Sequence, residues 1–153
     1  MQPFQFTKLV IRQGFTLIEL LLSIAFIAFL AGVSIPLWQQ LQVRNDIDVT
    51  QQALVASIRR SQLLAQANVG DNPWGIKIQP GTVTIFQGSS YANRLPTQDE
   101  SFGFSSSITA SGLSEVVFSK VFAEPSVTGG MIFTTVTNEA RTTTIGAKGM
   151  VNY

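Results

Sequence analysis

Apolar residues dominate one long stretch near the start of the chain. Residues 15–38 are apolar except for Glu19 and a few small or hydroxyl side chains, and 20–43 contain no charge. As a helix rising about 1.5 Å per residue, 15–38 would extend about 36 Å, more than the ~30 Å hydrocarbon core of a bilayer. The pattern predicts a membrane-spanning helix. Lys8 and Arg12 precede it and place the N-terminus in the cytoplasm. A secretory signal cut after Ser34 is the alternative, although its cleavage site would be weak.

Residues 39–69 continue the helical pattern with one narrow apolar stripe. Its members recur at four or seven positions, and Ser61 fills a gap between them: Val43, Ile47, Leu54, Ile58 and Ala65. Charged and amide side chains occupy the opposite side. Such periodicity is typical of a helix that packs on one face, and Gly70 follows it as a stop signal. We therefore expect this amphipathic helix to lie against a sheet.

Residues 70–153 change to short β-type runs between turn signals. Predicted strands cover 74–79, 82–87, 102–104, 107–109, 115–118, 131–137, 142–145 and 150–153. Pro80-Gly81 joins the first two as a hairpin, and 89–101 resemble a long surface loop. The predicted fold class is α+β, with a long N-terminal helix whose second half packs against antiparallel sheets.

Composition excludes much of enzymology. The chain contains no histidine and no cysteine. These absences exclude Ser-His-Asp catalysis, thiol catalysis and cysteine-ligated metals. Charged residues make up 12% of the chain, about half the usual share, and the net charge is +1. We expect no enzymatic activity, no catalytic residue, no cofactor and no metal.

A few charged side chains are of the types found in metal-binding or DNA-binding sites, but their arrangement does not fit such sites. Asp99 and Glu100 are adjacent acids, but their loop lacks the regular oxygen ligands of a calcium site. Asp46 and Asp48 fall on different helical faces. Arg141 and Lys148 are the only basic residues after 123 and form no cluster, so we do not expect DNA binding.

The most informative motif is RQGFTLIELL, residues 12–21, which directly precedes the apolar helix. It resembles the class III leader of type IV pilins and type II secretion pseudopilins. The resemblance implies that a prepilin peptidase removes leader 1–14 by cutting between Gly14 and Phe15. Phe15 then becomes the N-methylated first residue.

Glu19 and Pro36 are the two unusual residues inside the apolar stretch. A carboxylate within a membrane helix costs roughly 2.5–3.5 kcal/mol, so Glu19 needs a cationic partner. The family resemblance implies that Glu19 meets the terminal amine of a neighbouring subunit during assembly; the alternative places it at the headgroup level. Pro36 deprives the Gly32 carbonyl of its helical hydrogen bond, so Gly32 and Pro36 mark a segment where the helix could soften.

The strand region resembles GspH/FimT-type minor pseudopilins over 72–78, 84–88, 117–118 and 142–152. The two resemblances together imply a structural subunit of a type II secretion pseudopilus or a type IV pilus. Its partners would be prepilin peptidase, other pilin subunits, the inner-membrane assembly platform and, before assembly, membrane lipid. It would begin in the inner membrane and end in a periplasmic or cell-surface filament. The alternative is a membrane-anchored module at a pilus tip that binds DNA or a secreted substrate.

Overall fold

The computed structural model describes residues 14–153, and within 33–37 it describes the backbone only. Contacts divide the chain into two compact units, Met1–Gln39 and Gln40–Tyr153. One helix, α1, covers Leu17–Gln66 and contributes residues to both units. Most of the predicted leader, 1–14, lies outside the described residues.

In the first unit, α1 starts directly after Thr16. The Thr16 hydroxyl accepts a hydrogen bond from the backbone N–H of Glu19 at 3.3 Å, which is the geometry of an N-cap. Large apolar side chains then point outward on every side of the helix. Phe15, Ile18, Ile27 and Phe29 are 67–84% exposed. The described side chains of this unit, at 14–32, 38 and 39, are all exposed.

The predicted membrane span over 15–38 needs correction for the described residues. Among them, no helix combines the length and the apolar character that crossing a membrane requires.

The second unit combines the rest of α1 with two antiparallel sheets. In chain order, the strands are β1 Trp74–Gln79, β2 Thr82–Gln87, β3 Glu100–Gly103, β4 Ile108–Gly112, β5 Glu115–Phe118, β6 Gly129–Thr135, β7 Ala140–Ile145 and β8 Val151–Asn152. One sheet has the order β3-β2-β1-β5 and the other the order β4-β6-β7-β8. The predicted α+β class with antiparallel sheets is confirmed.

The β1–β2 hairpin sets the register of the first sheet. Gln79 pairs with Thr82, so Pro80 and Gly81 form the two-residue turn that the sequence predicts. Gly81 has a φ of 76°, which glycine adopts without strain. At Gly75, a Cβ would come within 2.6 Å of the Val116 carbonyl oxygen, so the close approach of β1 to β5 and to Phe86 requires glycine.

The core of the second unit lies between α1 and the sheets. Ile47, Leu54, Ile58 and Ala65 are fully buried, which confirms most of the predicted stripe, whereas Val43 is half-buried. The buried face is wider than predicted, because it also includes Thr50, Val55 and Ser57. The Thr50 and Ser57 hydroxyls donate to helix carbonyls four residues back, which satisfies them without sheet partners.

Some strands end at other residues than predicted, because hydrogen bonds in the turns and between the strands determine where they end. β6 ends at Thr135 rather than 137, because the Thr135 hydroxyl accepts from the Glu139 backbone N–H and closes a turn. β4 extends to Gly112 rather than ending at 109, since it pairs with β6 along its length. The predicted loop 89–101 contains two short 3₁₀ turns, Tyr91–Asn93 and Pro96–Gln98.

Candidate functional site

The predicted processing site lies where the chain enters α1. Gly14, Phe15 and Thr16 have no regular secondary structure, and Phe15 is 84% exposed. An endopeptidase needs an accessible, non-helical bond, and the bond between Gly14 and Phe15 has both properties. The helix begins at Leu17, so removal of 1–14 would leave α1 and its Thr16 cap intact.

Glu19 occupies the first turn of α1 and makes only local backbone contacts. Its N–H donates to the Thr16 hydroxyl, and its carbonyl accepts from the Ser23 hydroxyl at 2.7 Å. Within the described part of the chain, no cation contacts its carboxylate. The first turn of a helix favours an anion because its free N–H groups carry partial positive charge. The carboxylate therefore lies at the end of the helix that favours an anion.

Thr16 caps the start of α1, a contact that is not among the sequence-based predictions. Thr16 and Glu19 have the Thr-x-x-Glu spacing of a capping box, and this spacing is visible in the sequence. The structure shows the Thr16 half of that arrangement, in which the hydroxyl accepts from the Glu19 N–H. The cap fixes the helix start two residues after the predicted cut.

Gly32 and Pro36 lie within α1, and the backbone is helical at both residues. The side chain of Pro36 is not among those described. A Cβ added at Gly32 would meet nothing within 4 Å, so no close packing explains this glycine. Softening of the helix at this point stays a prediction.

The described surface of 17–32 is a nearly continuous apolar collar around the helix. We use the name apolar collar for its large exposed side chains, which are Leu17, Ile18, Leu20, Leu21, Leu22, Ile24, Phe26, Ile27, Phe29 and Leu30. Isolated apolar residues are common on protein surfaces, but a contiguous patch of this kind marks an interaction site.

Most charges of the second unit are neutralised within the unit. Six ion pairs lie among the described residues, including Arg44–Glu139 at 2.7 Å and Arg141–Asp48 at 2.9 Å. Arg141, one of two candidate DNA-binding residues, is therefore engaged with α1. Lys148 is exposed and makes no ion pair among the described residues.

Asp99 and Glu100 face separate cations instead of each other. Arg94 Nε donates to Asp99 at 2.7 Å, and Arg60 donates two hydrogen bonds to Glu100. The hydrogen bonds from Arg60 lower the pKa of Glu100, and burial opposes this shift. The two carboxylates thus pair with different arginines.

Two aromatic side chains and the turn after α1 make contacts within the second unit. Trp74 is buried and donates its indole N–H to the Val69 carbonyl, while Tyr91 packs edge-on against Phe86. Asp71 and Asn72 form the turn after α1, where the side chains of Lys120 and Asn68 lower the pKa of Asp71. The described residues include no group of three or more side chains that could hold a metal ion.

Comparisons with family models, curated proteins and solved structures give no match to this chain.

Proposed function

We propose that the protein is a filament subunit of the type IV pilin or type II secretion pseudopilin class. The observation that carries the proposal is the apolar collar on 17–32, which begins immediately after the exposed Gly14–Phe15 bond. A helix that is apolar on all sides requires either lipid or other helices around it. In the proposed filament, the collars of neighbouring subunits pack together, and lipid covers them before assembly.

The proposal assigns separate roles to the residues at the helix start. Prepilin peptidase cuts between Gly14 and Phe15, and the Phe15 amine is then methylated. Thr16 caps the new helix, and Glu19 pairs with the Phe15 amine of an adjacent subunit. An ion pair between subunits would be strong here because the surrounding collars exclude water and lower the local dielectric constant.

The two units have complementary roles in this account. The first unit forms the filament core, while the second unit, which has its own buried core, decorates the outside. An assembly platform in the inner membrane would add subunits to the growing filament. The minor pseudopilin type is favoured by the pattern of strands and turns in 70–153.

Replacing Glu19 tests the assembly role. We expect Glu19→Val to be processed normally, to remain in the membrane fraction and to enter sheared filaments poorly. Glu19→Asp is the matched control, since it preserves the charge and should retain more assembly. Immunoblots of membrane and sheared fractions provide the measurement. Unprocessed precursor, or normal incorporation of Glu19→Val, would contradict the role proposed for Glu19.

A second candidate function is a membrane-anchored module that binds a secreted substrate. One observation favours it: an uncharged groove of about 380 Å³ lies between the β1–β2 turn and β4. Processing separates the two candidates, because a simple anchor does not require a free Phe15 amine.

A further inference from the structure

The second unit leaves one cation and two carboxylates without partners. Lys148, Asp46 and Glu124 are the described charged side chains of 40–153 that have no ion pair, side-chain hydrogen bond or ring contact. The other charged side chains of the unit form six ion pairs, and Arg59 lies over the Tyr153 ring. The positions of these leftover charges therefore indicate where a second molecule could contribute the missing partner.

Asp46 lies at a groove formed by α1, β2 and β3. The groove has a volume of about 250 Å³, and its wall is largely apolar: Val49, Ala53, Val83, Phe102 and Phe104. Val49 is 54% exposed and Phe102 is 43% exposed, so the groove is open to solvent. We call this surface the Asp46 groove. An apolar cavity of about 150 Å³ holds a benzene ring, so a phenyl side chain fits here.

A phenylalanine protrudes from the loop between β5 and β6. Phe122 is 79% exposed, and its neighbours Val121 and Ala123 have φ values of 68° and 50°. A positive φ is strained for a β-branched residue and persists only where the surroundings enforce it. The Val121 N–H donates to the Ala65 carbonyl, and the Ala123 N–H donates to the Ser119 carbonyl. We call Phe122 on this fixed loop the Phe122 knob.

Lys148 lies at the same end of the unit as the knob. Its neighbour Gly149 is so close to the loop that an added Cβ would lie 3.2 Å from the Ala123 carbonyl oxygen. The Gln62 side chain donates to the Gly149 carbonyl at 2.7 Å. The cation and the knob thus lie beside α1 near 62–65, about 24 Å along the helix from Asp46. The two surfaces are at different ends of the unit.

We propose that the Phe122 knob of one copy docks into the Asp46 groove of the next copy, where Lys148 pairs with Asp46. The groove has room for a phenyl ring, its wall is largely apolar like the Phe122 knob, and each surface carries one charge without an ion pair, of opposite sign. Because a protruding surface meets a different receiving surface, the contact is heterologous and can repeat without closing. The inference rests on the proposed filament function and deepens it by identifying the contact between outer domains.

Cysteine cross-linking of the full chain provides the test, because the native chain has no cysteine. Asn45→Cys places a thiol at the groove and Val121→Cys places one beside the knob. After oxidation, the double variant should give a ladder of dimers, trimers and larger species. Each single variant should give none. Asn45→Cys with Val136→Cys is the matched control. Val136 is 74% exposed, but it follows β6 near Glu139, which pairs with Arg44. It therefore lies at the groove end of the unit and not at the knob.

Charge reversal and truncation sharpen the test in the double-cysteine background. Asp46→Lys or Lys148→Asp alone should lower the cross-linked fraction about twofold to fivefold, and the combined swap should restore it. Phe122→Ala should lower the fraction about tenfold or more, as expected for a central aromatic anchor.

The outcomes separate this contact from the proposed filament function. A missing ladder in both sheared filaments and detergent-extracted protein overturns the contact. Cross-linked dimers of a single-cysteine variant also overturn the proposed contact. In that case the same surface of two copies would be in contact, instead of the knob of one copy and the groove of the next. Filaments without the ladder preserve the proposed function and reject the contact. A restored ladder in the charge swap supports the contact even where filament yield argues against the proposed function.

Discussion

The two ends of α1 differ in where their apolar surface goes. In the second unit, Leu54 and Ile58 are fully buried against the sheets. In the first unit, Ile27 and Phe29 are 67% and 70% exposed. The second unit completes its core with its own residues, whereas the first unit leaves its apolar collar for something else to cover. The comparison separates residues that fold the protein from residues that we propose assemble it.

Polar side chains show the same division. On 40–66, Asp48 pairs with Arg141 and Gln62 donates to the Gly149 carbonyl, so the edges of the helix are fastened to the sheets. On 16–32, the side-chain hydrogen bonds of Thr16 and Ser23 join residues at the start of the helix. These polar contacts join the helix to the sheet region on 40–66, whereas those of Thr16 and Ser23 join neighbouring turns of the helix.

Placing a charge in the buried stripe should have the largest effect. Leu54→Asp removes a fully buried leucine and buries a carboxylate, and we expect it to lower the free energy of unfolding by about 4 kcal/mol or more. Leu63→Asp is the matched control on the same helix, because Leu63 is 64% exposed. It should change stability by less than about 1 kcal/mol. Equal melting temperatures for both variants would contradict the packing of α1 on the sheets.

A glycine-to-alanine substitution should lower the stability of the second unit at Gly75 and favour the helix at Gly32. Gly75→Ala forces a Cβ to within 2.6 Å of the Val116 carbonyl oxygen and should cost about 1–3 kcal/mol. Gly32→Ala meets nothing within 4 Å and should raise the helical preference by up to about 1 kcal/mol. Thermal unfolding tests the first variant and circular dichroism of the detergent-solubilised chain tests the second. A loss of helix in Gly32→Ala would refute the exposed placement of Gly32.

Acid should produce the smallest effect, through Glu100. Hydrogen bonds from Arg60 lower the pKa of Glu100 in the folded state, so this pair contributes stability above the unfolded pKa of about 4.3. That contribution is lost as the pH falls through the lower folded pKa. Glu100→Gln should therefore be slightly less stable at pH 7, and its difference from wild type should shrink in acid. Glu124→Gln, which removes a carboxylate that has no ion pair among the described residues, is the control variant in the same thermal-unfolding measurements.

The sequence predicts the features that depend on local periodicity. The stripe through Ile47, Leu54 and Ile58 and the hairpin at Pro80-Gly81 follow from spacing alone, and the structure confirms both. The Thr16 cap also follows from spacing, because Glu19 lies three residues after Thr16. The predictions from sequence nevertheless did not include this cap. Ion pairs such as Arg141–Asp48 join positions 93 residues apart, so only the three-dimensional arrangement of α1 and β7 reveals them.

The most direct test of the central claim is the intact mass of the protein recovered from sheared filaments of a host that carries prepilin peptidase. The account predicts a chain that begins at N-methylated Phe15. Gly14→Val should leave the precursor uncut and absent from those filaments. Retention of 1–14 in native filaments, or a terminus after Ser34, would contradict the claim that the apolar collar of a processed helix forms the filament core.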